Sequence, residues 1–401
     1  MFDLVIALLL GCVFGIFTGL APGIHTNTVA ASMLAVLPLL TKWFSPLALG
    51  IMLTAMVIVH SFVDFIPSIF LGAPDEGETT LSVLPGHALL LQGRGYDALK
   101  LTIVGGICAT LLTLLLLPVF CFVLVLGYEK FSPIIPFIIL IFSGFFILKE
   151  HEMKGKIWAL LIFLFSGTLG LLALTLLPVK EPLFPLLSSL FGIPTLLISL
   201  FSKNKIVEQK ITHKIDIKNY WGAGLKASLS AAIMSVLPAM GAAQATILAQ
   251  YASRKKSKED FLATVGGINT ATSFFVLATL WLIGRARTGV LAAMKQFLSI
   301  GFEEFVILLF ASFITIPIAV LITLYIGKCF ARSLPKIKYR KLALSVLICL
   351  FLLIFLFSGP IGILISFVGT AIGLLAPFTR VARVHAMGCI AIPVVFYFVG
   401  L

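Results

Sequence analysis

The sequence predicts an all-α protein that crosses a membrane many times. Of its 401 residues, 60% are hydrophobic and 11% are charged, whereas an ordinary soluble domain is about 25% charged. Apolar stretches recur along the whole chain, and most approach the roughly 20 residues that span hydrocarbon as a helix. These stretches are 4–20, 47–71, 101–126, 134–148, 158–177, 183–200, 261–283, 305–326, 342–357, 361–376 and 384–401. Because every backbone amide in lipid needs an internal partner, we expect helices.

The first apolar stretch is predicted to be a retained helix. Its start, Met1-Phe2-Asp3, offers no cationic region, and the run continues to Pro22-Gly23 without the small-residue cleavage site of a signal peptide.

Basic residues predict the orientation of the later helices. The net charge is +13, but the basic residues cluster in short segments between apolar stretches, which is typical of cytoplasmic loops and not of nucleic-acid binding. We place segments 149–156, 203–218, 254–258 and 328–341 in the cytoplasm, together with 72–100. Segments 42–46, 128–132 and 179–182 are then outside, and the C-terminal helix ends outside. This pattern predicts a multi-pass protein of the cytoplasmic membrane.

The chain also contains an internal repeat. Pro22-Gly23 interrupts an apolar helix near the start, and Pro238 to Gly241 interrupts another half a chain later. The following long helix runs inward in the first half and outward in the second, so the repeat is predicted to be inverted. We expect one repeat over 1–201, a basic linker over 202–218 and the second repeat over 219–401, each with about five transmembrane helices plus broken or re-entrant segments.

Paired helix breaks at membrane depth indicate a binding site. Freed backbone groups are tolerated there only where they face protein or a water-filled cavity, and helix N-termini favour anions. A kink or an ordinary turn explains either break alone, and a histidine beside the first break is equally well explained as a core residue. The residues predicted to bind an anion are Pro22, Gly23, His25, Thr26, Asn27, Thr28, Gly72, Pro74, Thr79, Thr80, Pro238, Gly241, Gln244, Asn269, Thr270, Arg285 and Arg287.

Acidic residues predict a coupling cation, either a proton or sodium. Asp64 lies inside an apolar run, where a carboxylate is costly unless it is paired or functional. A structural partnership with His60 is the alternative. Asp75 and Glu78 lie in a polar stretch next to the membrane and are also assigned to ion coupling, although a solvated loop explains Glu78 equally well. No cofactor and no metal-binding motif are predicted.

Three motifs resemble the large permease of tripartite tricarboxylate transporters, the TctA family. They are Gly19-Leu20-Ala21-Pro22-Gly23, the stretch from Gly72-Ala73-Pro74 to the run 91–99 (LQGRGYDAL), and the second break at Pro238. The resemblance implies uptake of di- or tricarboxylates together with a small membrane subunit and an extracytoplasmic binding protein. The chain departs from the family pattern in its acidic stretch after Pro74 and in the arginines at Arg285 and Arg287.

The sequence therefore predicts a secondary transporter for an organic anion, driven by a proton or sodium ion. A translocase for a polyprenyl-phosphate lipid is the alternative, because paired arginines also suit a phosphate. An intramembrane enzyme is disfavoured, since 150–152 (EHE) is not a zinc-protease motif and no nucleophile elbow is present. The expected partners are a small anion or phosphate-headed lipid and the bilayer, and a homodimer is left open.

Overall fold

The computed structural model describes most of the chain, in segments separated by short gaps. The described residues are 2–21, 26–72, 85–131, 134–150, 152–180, 182–201, 207–211, 215–236, 245–246, 249, 257–333 and 339–399.

Within these segments the regular structure is helical. The helices are Phe2–Leu20 (α1), Thr26–Ala35 (α2), Leu37–Leu40 (α3), Pro46–Val63 (α4), 85–91 (α5), Gly95–Phe131 (α6), Ile135–Leu148 (α7), Met153–Leu171 (α8), Leu183–Leu187 (α9), Ile193–Phe201 (α10), Trp221–Val236 (α11), Lys258–Ile283 (α12), Gly289–Met294 (α13), Phe302–Ser333 (α14), Tyr339–Thr379 (α15) and Gly388–Val399 (α16). Short π-helical turns, Pro67–Leu71, Leu172–Leu176 and Ser188–Gly192, and 3₁₀ turns, Ile217–Tyr220 and Arg383–Met387, extend or precede them.

Seven helices in the described segments are long and apolar enough to cross a membrane. They are Phe2–Leu20, Pro46–Leu71, Gly95–Gly127, Met153–Leu176, Lys258–Ile283, Phe302–Ser333 and Ala343–Thr379. Pro136–Leu148, Leu183–Ile198 and Arg383–Tyr397 are shorter apolar helices. The long helix α15 bends at Gly359, which has φ 69°, so it supplies both predicted stretches 342–357 and 361–376. The all-α membrane fold is confirmed, whereas the inversion of the repeat stays a prediction.

Helices α4 and α12 form the buried centre of the protein. Ser45 caps α4 by accepting from the amide of Ala48, and Ser257 caps α12 by accepting from the amide of Asp260. Side-chain oxygens at this position satisfy amides that have no partner within the helix. Beyond α4, the π turn Pro67–Leu71 ends at Gly72, with φ 67°, and α12 ends at Gly284, with φ 63°. Both ends thus use the left-handed conformation that glycine adopts without strain.

Helices α4 and α12 have corresponding packing partners in the two halves of the chain. Helix α1 packs along α4, and α11 packs along α12. Helix α4 also packs against α14 of the second half, while α12 packs against α6 of the first. The two halves are therefore interleaved through their central helices.

Ion pairs join the first turn of α12 to the neighbouring helices. Arg94, just before α6, contacts Glu259 at 3.1 Å, and Lys226 of α11 contacts Asp260. Segment 207–211 is held at the same end, because Gln209 accepts from the amide of Gly95 at 2.8 Å and donates to the carbonyl of Leu90 at 3.0 Å. The Gly-Arg-Gly turn before α6 thus contacts both α12 and segment 207–211.

Candidate functional site

A cavity of about 390 Å³ lies between elements of both halves of the chain. Its volume falls in the range typical of small-molecule sites, about 300–1,000 Å³. The described residues that line it are Thr26, Asn27, Thr54, Val57, Ile58, His60, Ser61, Leu183, Leu187, Asn269, Thr272, Ser273, Val276, Leu277, Arg287, Thr288, Gly289, Val290, Leu291, Met294, Ser312, Met387 and Ile390. Apolar and small polar side chains therefore share the wall.

The first helix break contributes through the start of α2. Thr26 is buried, and the side-chain oxygen of Asn27 accepts a hydrogen bond from the amide of Val290 at 3.0 Å. A methyl group at Gly289 would meet the Asn27 side chain. The short helix α13 is consequently seated directly on α2, and the residue after the first break is joined to the second half.

Arg287 brings a full positive charge to the cavity. Its Nη2 donates to the carbonyl of Val236, the last residue of α11, at 2.7 Å. The next residue, Thr288, caps α13 by accepting from the amide of Leu291 at 3.2 Å. The guanidinium is thereby held between the end of α11 and the start of α13.

Small hydroxyl residues that sequence reasoning missed line the same cavity. Thr54, Thr272 and Ser312 each donate to a carbonyl one turn earlier in their own helix, at 2.7–2.9 Å. In that state each oxygen can still accept from a ligand, and rotation of the hydroxyl lets it donate instead. Thr54 and Ser61 share one face of α4, but the other faces of this helix are apolar too, so the spacing does not single these residues out.

Asp64 lies behind the cavity wall and is 1% exposed. Asn269 donates through Nδ2 to Asp64 Oδ2 at 3.3 Å and to the carbonyl of Ser61 at 3.2 Å. His60 Nε2 is 3.9 Å from the same carboxylate oxygen, and His60 Nδ1 is 3.1 Å from Thr18 Oγ1. Because His60 and Asn269 also line the cavity, they connect it to the buried carboxylate.

The structure brings together Thr26, Asn27, Asn269 and Arg287 among the predicted binding residues. Three others lie elsewhere: Gly72 ends the π turn, Thr270 is buried and donates to Gly266, and Arg285 is exposed and is not part of the cavity lining. Thr28 belongs to α2, but its side chain lies outside the described residues. Also outside them are Pro22, Gly23, His25, Pro74, Asp75, Glu78, Thr79, Thr80, Pro238, Gly241 and Gln244.

Comparison with known proteins identifies relatives of the whole chain. A family model described as "Tripartite tricarboxylate transporter TctA family" matches residues 5–388. An uncharacterized protein from Methanocaldococcus jannaschii is 29% identical over 404 residues, which cover 98% of each chain. No solved structure matches the chain at a significant level.

Proposed function

Because the chain belongs to the tripartite tricarboxylate transporter TctA family, we propose that it is the permease through which a small organic anion crosses the cell membrane. The observation that carries this proposal is the position of Arg287, which lines a cavity built from both halves. A guanidinium pairs with a carboxylate through two parallel hydrogen bonds. The cavity is thus suited to a carboxylate-bearing solute.

The proposed binding mode uses one ion pair and several neutral contacts. Arg287 is the one arginine or lysine among the described cavity residues, and the sequence of the polar segments 22–28, 72–84 and 237–246 contains neither. One carboxylate of the solute pairs with Arg287. The other polar groups of a di- or tricarboxylate-like substrate bind hydroxyls and amides of the wall, such as Thr272 and Asn27.

The proposal includes an inverted repeat. The matched packing of α1 on α4 and of α11 on α12 supports it, as does the reciprocal packing of α4 on α14 and α12 on α6. Aligning the two left-handed glycines that end the central helices pairs Ser61 with Ser273, and both line the cavity. In many secondary transporters the substrate site lies between such repeats.

Two further parts of the proposal concern the driving force and the partners. Asp64 is the residue we assign to ion coupling, because it is buried next to the cavity and contacts two of its wall residues. The tripartite character of the family supports a small membrane subunit and an extracytoplasmic binding protein as partners. It also favours a soluble acid over a polyprenyl phosphate as the transported molecule.

Solute binding to the purified protein in lipid nanodiscs tests the proposal. We expect citrate or succinate to bind to the wild type, and Arg287→Gln to weaken binding about tenfold or more, since a hydrogen bond to a charged group contributes about 1.5–3 kcal/mol. Arg287→Lys keeps the charge without the paired geometry and should be intermediate. Arg332→Gln, which removes an exposed arginine of α14, is the matched control.

Two outcomes would count against this assignment. Equal affinity of Arg287→Gln and wild type would remove Arg287 from the site. Competition by a short-chain prenyl phosphate together with no binding of any carboxylate would replace the solute permease by a lipid translocase.

A further inference from the structure

A buried pair of titratable side chains, His60 and Asp64, lies at the wall of the proposed substrate cavity. His60 and Asp64 are 2% and 1% exposed. His60 lines the cavity, whereas Asp64 does not, so a charge on the carboxylate is reached from the cavity through His60 and Asn269. The Asp64 carboxylate can therefore respond to a bound solute without touching it.

We assign the proton of neutral His60 to one ring nitrogen from the contacts of Thr18. Thr18 donates its hydroxyl to the carbonyl of Gly15 at 3.3 Å, so its oxygen accepts from His60 Nδ1, 3.1 Å away. The neutral ring then has its proton on Nδ1 and a lone pair on Nε2. That lone pair faces Asp64 Oδ2 at 3.9 Å. His60 Nε2 and Asp64 Oδ2 are thus two acceptors that face each other. Adding one proton makes one of them a donor and leaves the other an acceptor.

The same surroundings are unfavourable for a sodium ion. Hard cations prefer oxygen ligands, but two nitrogen atoms face Asp64 Oδ2, from His60 and from Asn269. The amide of Asn269 is oriented with its nitrogen inward because that nitrogen donates both to Asp64 and to the carbonyl of Ser61. An N–H dipole pointing at the carboxylate competes with a cation for the same oxygen.

Most other acidic groups of the packed helices lie in the first turn of their helix. On α12, Glu259 and Asp260 pair with Arg94 and Lys226, and on α6, Asp97 pairs with Lys100. Helix α1 begins with Asp3 and α14 with Glu303 and Glu304. His87 of α5 faces the π turn at Ile69. His25, Asp75, Glu76 and Glu78 lie outside the described residues.

We infer that His60 and Asp64 together bind the proton that is transported with the anion, and that Thr18 is the positioning residue that directs His60 Nε2 toward Asp64. The inference rests on the proposed function and specifies its coupling ion. Without the proton the pair carries one negative charge, which repels an anion in the adjacent cavity. With the proton bound the pair is neutral, so anion and proton favour each other's binding. The proton arrives from and returns to water, and no other bond changes.

Transport in proteoliposomes tests the inference with radiolabelled citrate, succinate and lactate. Wild type is expected to exchange at least one of these acids in counterflow and to accumulate it when the outside is more acidic, with no requirement for sodium. Asp64→Asn and His60→Gln are expected to lose acid-driven accumulation at least tenfold, while their counterflow becomes insensitive to pH.

A positioning role for Thr18 predicts a change in the pH profile. Thr18→Val should shift the pH at which accumulation is half-maximal, whereas Thr18→Ser, which keeps the hydroxyl, should have the wild-type value. The control variant Thr323→Val, which removes a buried hydroxyl of α14, should also have the wild-type value. Sodium-driven uptake without any effect of a pH gradient, or undiminished acid-driven accumulation by Asp64→Asn, would overturn the inference and leave the permease assignment intact. Absence of both counterflow and nanodisc binding for every acid in the wild type would instead overturn the proposed function.

Discussion

At the scale of single residues, polar side chains within this apolar chain act through partners that are distant in sequence. Glu150, between α7 and α8, accepts from the amide of Ala382 and pairs with His385 Nε2, both at 2.9 Å. His385 is 3% exposed and also accepts from Ser166 through its carbonyl. The carboxylate thus ties the α7–α8 connection to the 3₁₀ turn before α16. These contacts explain Glu150 as a residue that stabilises the structure.

Replacing Glu150 should destabilise the protein without acting on the substrate cavity directly. Glu150→Gln removes the charge from two hydrogen bonds, and a bond to a charged group is worth about 1.5–3 kcal/mol. We expect a lower thermal midpoint for the detergent-solubilised variant. Glu152→Gln, two residues away at an exposed position, serves as the control. Equal midpoints for the two variants would show that the Glu150 contacts contribute little.

At the scale of elements, close approach of backbones holds the centre of the molecule together. A methyl group at Gly105 of α6 would overlap the carbonyl of Ala263 in α12, and one at Gly266 would overlap the backbone of Thr102. In a membrane, helices associate through such small residues because lipid is as apolar as their side chains. The glycines of α6 and α12 therefore allow these two helices, one from each half of the chain, to cross closely.

A single methyl group at this crossing is expected to be costly. Gly105→Ala forces the two backbones apart, and overpacking of this kind costs about 1–3 kcal/mol. Gly222→Ala in α11 is the matched control, because nothing lies within 4 Å of the added group and alanine favours a helix. Thermal midpoints in detergent measure both. A Gly105→Ala variant with the same thermal midpoint as the wild type would show that α6 and α12 can move apart at little cost.

At the scale of the whole molecule, the distribution of charged residues predicts how the protein is oriented in the membrane. The N-terminal ends of α1 and α4 are neighbours, since Ser45 donates to Asp3 at 3.1 Å. The opposite end of this helix pair leads toward the linker and the ion pairs of Arg94 and Lys226. By the positive-inside rule, we expect the end near Ser45 to face outward and the basic end to face the cytoplasm.

Cysteine labelling checks this orientation. In a background in which the six native cysteines are replaced by alanine, Trp43→Cys should react with a membrane-impermeant maleimide added to intact cells. Trp43 is 76% exposed, next to the start of α4. Lys154→Cys, at an exposed position of the α8 start, should react only after permeabilisation. The reverse pattern would invert the assigned topology.

Sequence alone determined the fold class, the positions of the apolar helices and the family. Long apolar runs and Pro/Gly breaks are local features, and a long apolar run in lipid has to form a helix to satisfy its backbone hydrogen bonds. It also indicated Asp64, since a carboxylate in an apolar run is conspicuous without any structure. Arg287 and Asn27 were indicated because they lie close in sequence to breaks in the apolar helices, and the structure places both at the cavity.

Only the tertiary structure decided which polar residues meet. A helix that is apolar on all sides carries little periodicity to reveal which face points inward, so Thr54, Thr272 and Ser312 could not be distinguished from other hydroxyls. The contacts of Asp64 with Asn269, and of His60 with Thr18, join helices that are separate in sequence. Packing of α4 between α1 and α12 brings these groups together, and the proposed proton site exists only through that packing.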